Sequence, residues 1–445
     1  MKYIVLVFVA ILFGACSSKE VVVEKNTKEE KPSKNIEISD LIYIPQDVEF
    51  FTKDLNSTKK IYKIQKKYEK YYFNVWNNSK PRESVEEVKW PFYSYRVGGS
   101  YGENFELLKQ SFFDEMLENA NFSEYATLNK KAITLREVNI RAFPTIKPLL
   151  RDPTIAGEGF PFDYLQNSTL HANKPLFVSH YSKDKEWVYV FSSFTSGWIK
   201  SSEMVFLSQK HVDAWQKAQQ VFFIKENIPF YSKDGTFLFH SKIGMMLAII
   251  SEDENKYEAL AISSYKNTKA MFQRVEISKS IATKDVLSLN KEALTNIMSE
   301  MFKSNYGWGG IYGQRDCSSM LRDLYAPFGI WLPRNSSQQA KVGKIISLKH
   351  LNNEEKIKTI KEKAVPFETL LYKKGHIVLY VGIFNGEIIV FHNIWGIKTN
   401  EEGREGRVVV GKAIFSTLKV GSNIDDFDKE SEILKNLQSM NILTQ

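Results

Sequence analysis

The sequence predicts a multi-domain α+β protein: a mixed N-terminal region, two small β-barrels in tandem, and a C-terminal α+β domain. Three observations carry this. The chain has 445 residues, room for roughly two to four domains. Helical patterning largely disappears between about 156 and 275, where short apolar runs alternate with turns. From about 285 helical patterning returns, with Leu294, Ile297, Met298, Met301 and Phe302 on one stripe.

Composition agrees with several small cores. Hydrophobic residues make up 43% of the chain and charged residues 25%, as in ordinary folded protein. Aromatics reach 13%, with 30 Phe and 21 Tyr, and each buries a large area. The net charge of +8 suits an anionic partner such as a membrane surface or a carboxylate-rich polymer. It is spread thinly, without a dominant Arg/Lys block, so no nucleic-acid partner is expected.

The N-terminus reads as an export signal. Met1-Lys2 is a basic start, and Tyr3 to Phe13 is an apolar run too short to span a bilayer comfortably. Gly14-Ala15-Cys16 then places small residues before a cysteine. This resembles the lipobox of bacterial lipoproteins, although Phe13 stands where Leu is usual. The resemblance implies that Cys16 is lipidated, and Ser17 after it leans towards the outer membrane. Residues 17–42 are charged, lack aromatics until Tyr43, and read as a flexible tether. Residues 56–76 carry Ile61, Ile64, Tyr68, Tyr71 and Tyr72 near helical spacing. Packing on the protein itself is favoured over a membrane-surface helix, because the tyrosines need a core.

Further elements follow in order. Phe105 to Asn119 reads as helix, and Ile133 to Arg141 as a strand. Short strands are expected at Pro175 to His180, Trp187 to Ser192, Trp198 to Lys200, Ile228 to Tyr231, Met245 to Glu252 and Lys256 to Ser263. Met320, Leu321, Leu324, Tyr325 and Phe328 recur at helical spacing after Cys317, and Gly329 is placed to end that helix. Strands follow at Ile377 to Ile383 and Glu387 to Trp395.

Cysteine arithmetic singles out one residue. With Cys16 lipidated, Cys317 has no disulfide partner, and two cysteines cannot build a metal cluster. No metal or cofactor is expected. Asp316 is placed as a helix N-cap with Cys317 in the first turn. The helix dipole there favours a thiolate, and free amides can stabilise an oxyanion. Gly307, Gly309, Gly310 and Gly313 upstream would let a substrate approach closely.

Of the seven histidines, most stand alone without polar company. His376 opens a strand, and His392 lies on the next one. A two-residue turn at Asn385-Gly386 would pair Leu379 with His392 and set the histidines on opposite faces. A three-residue loop, Phe384-Asn385-Gly386, would pair Val378 with His392 and bring them together. It would also set Leu379 against Phe391 and Val381 against Ile389 on an apolar face. That register is the expectation, with Cys317 as nucleophile, His376 as base and His392 as orienter. Asn393 has the wrong parity to replace His392.

Several stretches, taken in order, resemble the NlpC family of bacterial cell-wall cysteine peptidases. They are Tyr306-Gly307-Trp308-Gly309-Gly310, Asp316-Cys317-Ser318-Ser319, Leu332-Pro333-Arg334-Asn335-Ser336-Ser337-Gln338, and Gly375 to Gly382. Asn139 to Thr145 is similar to the stabilising segment of the multi-domain branch. Pro161 to Gln166 and Gly197-Trp198-Ile199 are similar to its first SH3-like domain. The resemblance implies a signal peptide over 1–16, a tether over 17–42 and a stabilising domain over 43–155. SH3-like domains over 156–215 and 216–280 follow, then a papain-like catalytic domain over 281–420 and a tail over 421–445.

It further implies hydrolysis of the γ-D-glutamyl–diaminopimelate bond in peptidoglycan stem peptides by a lipid-anchored envelope enzyme. Asp316 and Ser318 would help bind a free L-alanine amine, and Ser336 would be another substrate-side residue. Tyr306 would donate its hydroxyl near the oxyanion or pack structurally. Asp163 and Tyr164 would border the cleft. Two other readings share the fold: a silent wall-binding lipoprotein, and another papain-like amidase or acyltransferase.

Overall fold

The computed structural model describes residues 36–55, 64–265 and 269–445. The signal peptide, Cys16, Ile61 and most of the tether lie outside the described residues. The rest of the tether differs from expectation. Ser39–Tyr43 is helical, and the buried Asp40 accepts the Thr417 amide at 2.6 Å. Gln46 both donates to and accepts from the Phe415 backbone. Ile38 and Val48 are buried, so an apolar residue every few positions docks this segment on the C-terminal domain. The helix Ile64–Tyr72 turns Tyr68 and Tyr72 inward, with Tyr68 against Phe222 and Trp331. Tyr71 stacks on Trp331 but stays partly exposed, so Tyr68 and Tyr72 carry the packing.

The expected helix is shorter, Gln110–Asn119, with Phe113 and Met116 packed near Phe143 and Leu165. The expected strand Ile133 to Arg141 is two strands, Lys130–Thr134 and Val138–Arg141. Both belong to the seven-stranded sheet of the first barrel, which therefore begins well before residue 156. Alternate residues Ala132, Val138, Ile140, Val178, Val188, Val190 and Ile199 fill that barrel. The helix Gln209–Lys217, capped by Ser208 and burying Val212 and Trp215, interrupts a region read as all strand. The second barrel is a five-stranded sheet with an added hairpin of Pro229–Tyr231 and Phe237–His240.

The C-terminal domain packs helices Lys291–Phe302 and Cys317–Tyr325 on a six-stranded sheet. Its strands run Lys344–Ser347, Leu437–Ile442, Thr369–Lys373, His376–Phe384, Glu387–Glu401 and Arg404–Thr417. The stretch read as a tail therefore supplies an inner strand. Leu437, Met440 and Ile442 are buried, and both edges of that strand are paired.

The histidine hairpin closes differently from expectation. Asn385 and Gly386 both have positive φ, 49° and 82°, as a two-residue type I′ turn requires. A bulge between Tyr380 and Gly382 then adds one residue. Leu379 lies opposite Phe391 as expected, but Ile389 faces Gly382 rather than Val381. The bulge restores the parity that the turn alone would have reversed.

Candidate active site

Asp316 caps the Cys317 helix, accepting the Ser319 amide at 2.8 Å, and Ser319 reciprocates towards the Asp316 amide. Cys317 occupies the first turn and is 8% exposed. With His376 and Tyr306 it lines a cleft of about 310 Å3, joined by Phe162, Trp308 and Trp395. Trp395 sits where the register of the long hairpin shifts, between Ile394 and Gly396. Bulges commonly re-aim a side chain in this way.

His376 Nε2 lies 2.8 Å from His392 Nδ1, and His392 Nε2 lies 2.9 Å from Ser416 Oγ. The Ser416 hydroxyl donates its proton to the Thr417 carbonyl at 2.9 Å. Its oxygen must therefore accept from His392 Nε2–H. That leaves His392 Nδ1 as an acceptor for His376 Nε2–H, so His376 Nδ1 carries the free lone pair. Ser416, fully buried, is a member of this chain that the sequence did not single out. Asn393 points away and ties down the Asn305 and Arg315 carbonyls.

Burial works against the expected thiolate. Burial first, then the Asp316 charge, pushes the Cys317 thiol up to about 12, against the Ile377 and Ser318 amides and Arg334. Burial also holds His376 well below 6.5, helped by His392 and Lys373, and brings His392 to about 3. Burial thus favours the neutral thiol and the neutral imidazole. Desolvation outweighs the helix dipole here. Burial, Cys317 and Asp316 together raise Tyr306 well above its usual value, so its hydroxyl stays a donor.

Both Asp316 carboxylate oxygens are already engaged within the protein. Arg334 grips it twice, at 2.5 and 3.1 Å, and Ser318 donates to it at 3.1 Å. Arg334 also bonds Ser168 of the first barrel at 2.7 Å. Burial alone would raise the Asp316 carboxyl, but Arg334 holds it below the ordinary value. Ser318 faces the same guanidinium. Neither residue lines the Cys317 cleft, nor does Ser336, which begins the short helix Ser336–Gln339.

Asp163 and Tyr164 also fall outside the cleft lining. The buried Asp163 carboxylate pairs with Arg141 at 2.5 Å and accepts the Leu149 and Leu165 amides. Its carbonyl accepts Trp308 Nε1 at 2.9 Å, so it fixes one cleft wall from behind. Tyr164 bonds Glu158 and packs 5.6 Å from Trp308. Phe162, from the same segment, is the one that reaches the cleft. The glycine run likewise serves the barrel more than a substrate. A Cβ on Gly309 would lie 2.4 Å from the Gln166 carbonyl, and one on Gly310 2.4 Å from Thr169 Oγ1. His171, read as solitary, lies 3.4 Å from Asp323 beneath the nucleophile helix.

Comparison with known proteins follows the same plan. Residues 5–125 match the NLPC_P60 stabilising domain, and 148–200 an SH3 domain of SH3b1 type. Residues 208–254 match an SH3 domain of SH3b2 type, and 303–403 the NlpC/P60 family. The fold is similar to an NlpC/P60 endopeptidase from Photobacterium damselae subsp. piscicida, with a TM-score of 0.78 at 24% identity over 90% of this chain and 98% of that one. An NlpC/P60 family protein from Bacillus cereus aligns at 16% identity with a TM-score of 0.48, over 71% of this chain and all of that one. Comparison with curated protein sequences gives no match. The chain thus carries a stretch similar to the NlpC/P60 family at residues 303–403, behind a stabilising segment and two SH3-type domains in the order of their matches.

Proposed function

We propose that this protein hydrolyses the γ-D-glutamyl–diaminopimelate bond of peptidoglycan stem peptides through Cys317, His376 and His392. The observation that carries the reading is the hydrogen-bonded chain from His376 through His392 to Ser416, in the cleft that Cys317 lines. It leaves one nitrogen, His376 Nδ1, to receive the thiol proton. Because burial favours the neutral thiol and imidazole, proton transfer accompanies attack of sulfur on the γ-carbonyl carbon. The oxyanion is met by amides at the helix start and the Tyr306 hydroxyl. Its collapse expels the diamino acid's α-amine, which takes the proton from His376 and leaves a γ-glutamyl thioester. Water, deprotonated by His376, then releases the acid and restores the thiol.

The test is digestion of purified muropeptides, read by mass spectrometry. Wild type should release an alanyl-glutamate fragment, and Cys317→Ala should not. Peptide binding without cleavage by wild type would favour the silent binder. The resemblance also suggests stems with a free L-alanine amine, bound by Asp316 and Ser318. Since both already serve Arg334, a free amine is no requirement in this reading. Stems with free and acetylated amines should be cut at similar rates. The proposed location is the cell envelope, lipid-anchored through Cys16 and facing the periplasm. Fatty-acid labelling that survives Cys16→Ala would overturn it.

A further inference from the structure

A second feature of the cleft bears on what leaves it. Four basic side chains, Lys373, Lys374, Lys398 and Arg407, line it with one acid, Glu432. Arg407 is the unusual member. Its aliphatic stem crosses Gly396, where a Cβ would lie 2.9 Å from Arg407 Cγ. Its guanidinium lies on Gly157, where a Cβ would lie 2.6 Å from Nη2. Two glycines thus form a cradle that only the absence of side chains permits. Yet the group held there is poorly satisfied. Nη2 makes one long bond, 3.3 Å to the Ala156 carbonyl, and the buried Nε has no partner.

The two acids that act on Arg407 are engaged elsewhere: Glu405 pairs with Lys398, and Glu158 bonds Tyr164. Burial depresses the Arg407 pKa, and Arg407 in turn helps to depress Lys373, as two cations facing one space would. A half-buried guanidinium with an orphaned donor is costly unless an anion completes it.

We infer that Arg407, supported by Lys373 and Lys374, forms a carboxylate-binding site on the leaving-group side of the scissile bond. The side follows from the chemistry: His376 must protonate the departing amine, so the diamino-acid half lies on the imidazole's side. Lys373, Lys374 and His376 come from one turn there. Arg guanidinium matches carboxylate geometry in a way that Lys does not. The inference rests on the peptidase reading and deepens it. The carboxylate is either the one on the diaminopimelate side chain or the peptide's C-terminal one.

Four peptides separate these sources. Each carries γ-D-glutamate joined to diaminopimelate or to lysine, with the C-terminus free or amidated. Removing the recognised carboxylate should lower wild-type kcat/KM by roughly tenfold or more, mainly through KM. Diaminopimelate against lysine reports the side-chain carboxylate, and free against amidated reports the terminal one. In Arg407→Met the affected ratio should collapse towards one, and Arg407→Lys should recover part of it. Equal wild-type kcat/KM for all four peptides, or an unchanged ratio in Arg407→Met, would overturn the site. The wild-type comparison needs no variant to fold. If none of the peptides is cut, the peptidase reading fails separately. The ratio of their Kd values, measured by calorimetry on wild type, then decides the carboxylate site.

Discussion

Two arginines belong to the surroundings of Cys317, and they stand in opposite situations. Arg334, on the barrel side, is buried with its guanidinium filled by Asp316, Ser318 and Ser168. Arg407, on the imidazole side, lies against two glycines with one long hydrogen bond to backbone and has no carboxylate. Residue type alone therefore says nothing about role. The satisfied guanidinium joins two domains, whereas the unsatisfied one is prepared for something that arrives. This is a distinction between structure and binding that hydrogen-bond accounting makes visible.

The sharpest way to break the comparison is to treat both arginines alike. Arg334→Met would leave the Asp316 carboxylate buried and unpaired, and should destabilise the protein by roughly 3–5 kcal/mol. Denaturant unfolding measures this, and adding Asp316→Asn should recover part of the loss. The pH dependence has a definite sign. Asp316 is held below 3.8 in the fold, so its contribution is present above that value and lost as pH falls through the folded value. A neutral Arg334→Met would mean that the pair is incidental.

Much of this site was legible in the sequence where the governing pattern is local. An N-cap aspartate before an apolar stripe gave the nucleophile helix, and strand parity gave the meeting of His376 and His392. The expected histidine contact forms, but through a two-residue turn and a bulge rather than a three-residue loop. A bulge leaves no mark in an apolar run such as Leu379-Tyr380-Val381, because either register buries well. Leu437–Ile442 reads as a tail because its pairing partners lie many residues away. Arg334 and Arg407 were equally silent: their roles depend on neighbours brought by Asp316, Gly157 and Gly396 from distant segments. The thiol's charge state also escaped the sequence, since helix position is local and burial is not.

His376 sits between the two sides and registers both. After burial and His392, Lys373 lowers its pKa from the open side while Asp316 raises it from the closed side. A depressed histidine stays neutral, and therefore a competent base, down through its ordinary 6.5. The acid limb of kcat/KM should accordingly lie below pH 6.5. Lys373→Gln should move that limb upward, because it removes a cation that disfavours imidazolium. A limb that stays in place would remove Lys373 from the electrostatics of the base and weaken the account of a basic open side. Thiol alkylation should rise steadily across the neutral and alkaline range, since Cys317 ionises only near 12.

The smallest expected effect is the most diagnostic. Arg407→Met keeps most of the stem that crosses Gly396 and loses one 3.3 Å hydrogen bond. It also removes a half-buried charge that has no counter-ion, and that change favours the fold. These terms oppose one another, so stability should change by less than about 1 kcal/mol in either direction. The same substitution at Arg334 should be several times worse. Thermal unfolding of the two variants side by side is enough to see the difference. If Arg407→Met proved as damaging as Arg334→Met, Arg407 would be a structural tie between the long hairpin and the first barrel's approach loop. The asymmetry between the two sides of Cys317 would then disappear.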